Sequence, residues 1–391
     1  MSQRLIDHSP DLKRLRDEGY AIAVRAGYLL VKDVPYVTEG REVARGTLVS
    51  TLNMAGDVTQ LPDTHVVSFA GSFPCRSNGS PITTIQHSSQ RTELAAGVIV
   101  DHSFSNKPAN GYPDYYAKMT TYVTILESQA QVLDAAVTSK TFGVIEADPT
   151  ESVFHYIDTA ASRAGVAMLS EKLAAGAIAI VGLGGTGSYV LDLVAKTPVT
   201  EIHLFDGDRF LQHNAFRSPG APSVETLLTA PHKVTYFKGE YERMRRGIVA
   251  HPYFIDECTL EQLRGMHFVF ICIDEGPAKK RIIDHVTVWG TPFVDVGMGL
   301  QLTDGALGGI VRVTASTDGH RDHVSRRVSV ADPGANAEYS QNIQIADLNA
   351  LNAAMAVIKW KKLTGFYRDL EREHHSTYSL DVNMLLSEDQ G

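Results

Sequence analysis

Past residue 150 the chain alternates short, wholly apolar runs with stretches of helical period. AIAIVG, TEIHLFD, HFVFICID (267–274) and PFVDVGMG (292–299) read as buried strands. SVFHYIDTAASRAGVAMLSEKLAAG, GTGSYVLDLVAKTP and PAKKRIIDHVTVWG read as helices between them. This alternation predicts an α/β domain with a doubly wound, mostly parallel sheet. GGIVRVTAS (308–316) adds a later strand. IADLNALNAAMAVIKWKKLTG (345–365) predicts a long helix with Leu348, Leu351, Met355 and Ile358 on its buried face, stopped by Gly365. The first part has another texture. Residues 9–19 predict a short polar helix, and YAIAVRAGYLLVKDVPYV two strands around Gly27. Residues 36–125 are rich in Ser, Thr, Gly, Pro and His, with short apolar runs such as THVVSFAG and GVIVDHSF, and 114–136 contains a helix. We therefore expect a smaller α+β, β-rich domain over 1–148, a boundary at EADPTES, and the α/β domain over 149–391.

Composition narrows the function. The 391 residues are 43% apolar and 21% charged, as in ordinary soluble domains. A net charge of −9 gives no support to a general nucleic-acid or anionic-membrane binder, though a local basic pocket stays open. The N-terminal MSQRLIDHSPDLKRLRDEGY has no apolar core of a signal peptide, and no run is long enough to span a membrane. The three cysteines, Cys75, Cys258 and Cys272, form no CxxC pair. A reduced, cytoplasmic protein is expected.

The candidate chemistry begins at VGLGGTGS. Gly182, Gly184, Gly185 and Gly187 lie between a buried strand and a helix, where backbone N–H groups at a helix N-terminus favour phosphate. That makes the domain Rossmann-like. Asp206 ends the next strand, placed to accept from ribose hydroxyls, and Asp208 follows it. Asn214 and Arg217 are three apart; Arg217 and Lys233 suit phosphate oxygens. Asp274 ends the strand FVFICID and is a candidate Mg²⁺ ligand. Hydride transfer needs neither a metal nor phosphate-clamping cations; cleavage of a nucleoside triphosphate uses both.

GLGGTGS, DGDRFLQHNAFR, HKV and ICID resemble the ThiF/HesA/MoeB family of ubiquitin-activating-enzyme-like adenylyltransferases, with the spacing D-x-D-x5-N-x2-R. The resemblance covers about residues 155–367. It implies that Mg·ATP is attacked by the C-terminal glycine carboxylate of a ubiquitin-like protein, giving an acyl-adenylate and pyrophosphate. By the same resemblance, Gly184 and Gly185 line the phosphates and Asp206 holds the ribose. Asn214, Arg217 and Lys233 contact phosphate, and Asp274 binds Mg²⁺. Many members are homodimers in which an arginine reaches the partner's nucleotide; Arg163 is the match, though it lies nearer the glycine loop than is usual. The family's paired zinc cysteines are missing, so no structural zinc is expected. Other acceptors stay open: a sulfur-carrier protein, a peptide or a tRNA base. So does a nucleotide-binding scaffold without catalysis.

Several residues stand outside this pattern. His87 and His102, with Asp101, form a possible metal or acid–base set. His320 and His323 lack a third ligand nearby in sequence. No cysteine occurs between 300 and 345, where thioester-forming members carry their nucleophile; Ser316, Ser325, Ser329 and Ser340 are the hydroxyls there. The first domain is expected, by position alone, to recruit the ubiquitin-like protein or a downstream conjugating enzyme.

Overall fold

The computed structural model describes residues 2–164, 166–174, 176–330 and 343–390. It divides into two compact units, Met1–Glu151 with Tyr156–Gly165, and Ser152–His155 with Val166–Gly391.

The first unit opens with helices α1 (Ser2–His8) and α2 (Pro10–Asp17). Strands β1 (Ala21–Arg25), β2 (Tyr28–Val37) and β3 (Val43–Thr51) follow, then the two-residue pair β4 (Met54–Ala55) and β5 (Val58–Thr59). Next come β6 (Val66–Ala70), β7 (Gln86–Ala95), β8 (Val98–Ser105), the helix α3 (Tyr115–Leu133) and the short α4 (Thr159–Arg163). The main sheet runs β1-β2-β3-β6-β8-β7, antiparallel throughout. Its core packs Leu29, Val31, Leu48, Val67, Phe69 and Phe104 against Tyr115, Met119, Tyr122 and Leu126 of α3.

The second unit carries α5 (Ala167–Ser170), β9 (Ala177–Val181), α6 (Gly185–Val194) and β10 (Glu201–Phe205). Then come α7 (Gln212–Ala215), α8 (Val224–Thr229), α9 (Lys233–Tyr241), β11 (Ile248–His251), β12 (Phe268–Ile271) and α10 (Gly276–Val288). The last elements are β13 (Phe293–Thr303), β14 (Ala306–Ser316), α11 (Val324–Arg327), α12 (Ala346–Leu363), β15 (Glu373–Ser379) and β16 (Met384–Gln390). The sheet order is β11-β10-β9-β12-β13-β14-β15-β16, parallel from β11 to β13 and antiparallel after it. The apolar runs follow from burial on both faces. Ile178, Ile180 and Phe270 meet α6 and α12 through Val190, Leu191, Ala353 and Trp360. Ala179, Val181 and Ile271 meet α10 through Ile282, Ile283 and Val286. This is the expected Rossmann-like domain, after a β-rich one.

Three sequence expectations need correction. The expected continuous helix over 152–176 does not form: among the described residues there are α4, α5 and one 3₁₀ turn. Arg246 captures residues 152–154 instead, donating from Nη1 to the Ser152 and Phe154 carbonyls, while its N–H bonds Val153. The buried face of α12 is also rotated. Leu348 is buried as expected, but Ile358 is 46% exposed, and Asn349, Asn352, Ala353, Ala356, Val357 and Trp360 make up the rest of the buried face. The hairpin β15–β16 was not expected; its polar strand EHHSTYS hides its pairing with β14.

One buried charge has a measurable consequence. Lys118 of α3 is 0% exposed, and Ser50 Oγ, 2.8 Å from Nζ, is its hydrogen-bond partner among the described residues. Burial pushes its pKa down to about 8. Between pH 8 and the unfolded value near 10.5 the unfolded chain binds a proton that the folded chain has lost, so stability rises with pH across that window. The ceiling of the effect is about 3 kcal/mol. We expect Lys118→Met to raise stability at pH 7 by ~1 kcal/mol and to flatten the rise; denaturant melts at pH 7 to 10 measure both. An unchanged slope would show that Lys118 is not the group responsible.

Candidate functional site

Strand order places the glycine loop at a topological switch. From β9 the chain moves to β10 and β11 on one side, then crosses to β12 and β13 on the other. The crevice beyond the carboxyl ends of β9 and β12 is where such sheets bind ligands. The loop after β9 and Asp274 after β12 both lie there.

The four glycines have different jobs. Gly182 has φ +91, and a Cβ on it would lie 2.7 Å from the Cys272 carbonyl oxygen. A Cβ on Gly185 would overlap the Asn349 amide, and one on Gly187 the Gly182 carbonyl oxygen. These three let α6 pack against β9, β12 and α12. Gly184, the N-cap of α6, differs: a Cβ there would have nothing within 4 Å. The open side of the loop is at Gly184, where the first N–H groups of α6 lack intrahelical acceptors.

Asp206 fixes the loop. Its Oδ2 accepts from Leu183 N at 2.7 Å and its Oδ1 from Asp208 N at 2.8 Å. Lys233, first residue of α9, donates from Nζ to Asp208 Oδ2 at 2.7 Å and approaches Asp206 Oδ2 at 3.4 Å. Its own N–H bonds the Asp208 carbonyl at 3.0 Å. Asp206 and Lys233 are buried, Asp208 exposed. By sequence, Asp206 is a ribose-binding candidate. Its bonds make it a brace for the loop as well, so its removal carries a folding cost that the sequence did not suggest.

Asn214 is buried in α7, and its side chain accepts from Leu211 N at 2.8 Å. Arg217 lies just beyond α7, so the two do not share one helix; its N–H returns to the Asn214 carbonyl at 3.1 Å. Arg217 Nε is buried without a hydrogen-bond partner among the described residues. An orphaned guanidinium donor fits an anionic ligand. Asp274 is exposed, two residues before α10. No group of three His, Cys, Asp or Glu side chains among the described residues is arranged to hold a metal. A Mg²⁺ ion here would take Asp274 with phosphate oxygens, as that ion commonly does. The side chain of Arg163 lies outside the described residues.

One residue was missed. Asn349 of α12 accepts from Thr186 Oγ1 at 2.9 Å and reaches the Arg217 carbonyl at 3.5 Å. It thereby joins the loop, the Arg217 segment and the last helix. The signal was present as a polar residue in an otherwise apolar helix. Burial pushes the Cys272 thiol well up, with Asp295 acting the same way, which disfavours the thiolate. Cys75 is buried and likewise raised, and Cys258 is exposed. The His320 ring lies 4.8 Å from that of His323 and 4.3 Å from that of His374, and His323 Nε2 lies 2.8 Å from the Ala315 carbonyl. Ser316 is buried, Ser325 and Ser329 are exposed, and Ser340 lies outside the described residues.

The fold and loop thus define a Rossmann-like domain with a candidate nucleotide crevice at its switch point. The chain belongs to the ThiF family, which it matches over residues 159–370. Residues 10–159 match a domain of unknown function (DUF6791). No curated protein matches the chain. Among solved structures it is similar to E. coli MccB with ATP, at 18% identity and TM-score 0.45, covering 57% of this chain and 66% of that one. PaaA is 19% identical at TM-score 0.45, over 57% of this chain and 75% of its own. The microcin C7 biosynthetic enzyme MccB in complex with N-formylated MccA is 14% identical at TM-score 0.46, over 78% and 96%. The chain therefore spans about two thirds of the E. coli MccB chain.

The glycines separate folding from binding. Gly184→Ala should melt within ~0.5 kcal/mol of the wild type, yet weaken nucleotide binding about tenfold or more. Gly187→Ala should lose ~2 kcal/mol or more of stability. Equal melts for the two variants would contradict this division of roles.

Proposed function

We propose that this chain is an activating enzyme: it uses Mg·ATP to adenylate the C-terminal carboxylate of a ubiquitin-like protein. Membership of the ThiF family supports adenylation. The observation that carries the site is the buried Arg217 Nε without a hydrogen-bond partner among the described residues, on a segment that Asn349 joins to the glycine loop. In this reading the loop N–H groups and Arg217 bind phosphate oxygens. Lys233, poised on Asp208, shifts part of its hydrogen bonding to the phosphates. Asp206 holds the loop through Leu183 and offers remaining lone pairs to the ribose. Asn214 fixes the turn that presents Arg217. Asp274 would hold Mg²⁺, which supplies positive charge where negative charge develops on the phosphates. The acceptor carboxylate attacks the α-phosphorus, the α–β bridging bond breaks, and pyrophosphate leaves.

The test is pyrophosphate exchange with candidate carboxylates. Asp274→Asn should reduce exchange by about a hundredfold or more. Asp206→Ala should lose both nucleotide affinity and ~2 kcal/mol of stability. Wild-type exchange by Asp274→Asn would refute the metal assignment. Exchange driven by short peptides but by no ubiquitin-like protein would refute the acceptor.

The residues at 1–148 serve in this proposal as a recruiting module for the ubiquitin-like protein or a conjugating enzyme, and 149–391 as the adenylation domain. The active form is a homodimer, with Arg163 reaching the partner's nucleotide. The edge strand β16 supports self-association: Met384, Leu385 and Leu386 are 44%, 59% and 43% exposed on a strand with one unpaired edge. Such an edge can pair antiparallel with its own copy across a two-fold axis. Sedimentation at micromolar concentration should give a dimer that Leu385→Lys weakens. A fully active monomer would remove both the dimer and the role of Arg163.

A further inference from the structure

His87 and His102 were possible metal ligands by sequence, but the register of β7 and β8 gives each a serine instead. His102 Nδ1 lies 3.1 Å from Ser89 Oγ, and His87 Nδ1 lies 3.1 Å from Ser103 Oγ. The two pairs are not equivalent. Ser89 and His102 line an open concavity of about 470 Å³ with Gly71, Ser72, Arg91 and Asp101. His87 and Ser103 are not part of its lining.

The groups around the first pair are ordered. The His102 ring meets Phe73 edge-on with centroids 5.1 Å apart. Asp101 Oδ2 accepts from Gly71 N at 3.0 Å, and Ser72 Oγ lies 2.9 Å from Tyr36 OH. Ser89 Oγ also accepts from Gln86 Nε2 at 3.3 Å. Arg91 is exposed and has no hydrogen-bond or ion-pair partner among the described residues. A hydroxyl, an imidazole within hydrogen-bond reach of it, and an unengaged guanidinium therefore face one cavity.

We propose that Ser89 and His102 form a nucleophile–base pair in the first unit, and that its substrates are activated acyl esters. The Ser89 oxygen attacks the acyl carbon while its proton passes to His102 Nδ1. Arg91 stabilises the oxyanion that forms on the former carbonyl oxygen. The bond to the leaving oxygen breaks, and His102 returns the proton to it, leaving an acyl ester on Ser89. Water then attacks that ester with His102 again taking the proton; the carboxylic acid departs and Ser89 regains its hydrogen. No cofactor is required. Burial holds His102 below its ordinary pKa, with Asp101 acting in the opposite direction, so the ring is a neutral acceptor at neutral pH. This activity is independent of adenylation in the second unit.

The experiment is to treat the full-length protein with a fluorophosphonate probe, map the adduct by mass spectrometry, and follow p-nitrophenyl acetate hydrolysis. A single adduct on Ser89 is expected. Ser89→Ala should abolish labelling and hydrolysis, and His102→Gln should slow both about a hundredfold. Arg91→Ala should slow them about tenfold or more. Ser103→Ala, which disrupts the other pair, should leave both rates unchanged. Thermal melts confirm that each variant is folded; Ser89 and Arg91 are exposed, so their replacement spares the core. Absence of labelling and hydrolysis in the wild type overturns the proposal. So does an adduct elsewhere, or an unchanged rate in His102→Gln.

Discussion

The candidate nucleotide site depends on one carboxylate. Asp206 ends β10 but bonds backward to Leu183, in the loop after β9, and forward to Asp208. It thus fixes two crossover loops that the sheet alone leaves unsupported at their open end. Lys233 adds the third attachment, since its backbone bonds Asp208 and its ammonium meets both carboxylates. Charge-assisted bonds to a buried carboxylate are short and directional. They hold the helix N-terminus of α6 in place before any ligand arrives, so less ordering remains for binding to supply.

The same constraint explains what was legible in the sequence. All-apolar strands and a glycine loop are local signals, and they located β9, α6, β10, β12 and β13 correctly. The buried face of α12 was not local. Gly185 brings α6 so near that Asn349 fills the space a side chain would occupy, and that close approach puts polar and small residues, Asn349, Ala353 and Ala356, on the buried face beside Val357 and Trp360. Leu351 and Met355 are therefore only half-buried, and Ile358 faces solvent. Periodicity finds an apolar face, but it does not register how close the neighbouring helix comes. The broken segment over 152–176 failed for the opposite reason: its helical composition loses to carbonyl bonds from Arg246, some 90 residues away in sequence.

The first unit was harder to read because its sheet is built from long-range antiparallel pairs. β7 is polar and exposed over most of its length, so nothing in its composition marks it as a strand. Its register with β8 contains three shifts. Those shifts decide which histidine meets which serine, and no spacing rule along the chain reveals them. His87 and His102 look alike in the sequence; only pairing distinguishes the one that faces a cavity.

Charge balance in the second unit bears on how a nucleotide would be taken up. Asp206 and Asp208 carry two negative charges, and Lys233 and Arg217 two positive ones, so these four side chains sum to zero. The α6 N-terminus adds roughly half a positive charge. A triphosphate carries far more negative charge than that site can meet. On the adenylation reading, the balance has to arrive with the ligand as Mg²⁺, positioned by Asp274 across the crevice. A neutral site also has an advantage at the end of the reaction. On the same reading, the side chains that remain would attract the departing pyrophosphate only weakly. Lys233 can then return to Asp208, which stands 2.7 Å away and retains most of its exposure to water. The carboxylates that make the site a poor trap for phosphate are the same ones that keep its loops in position.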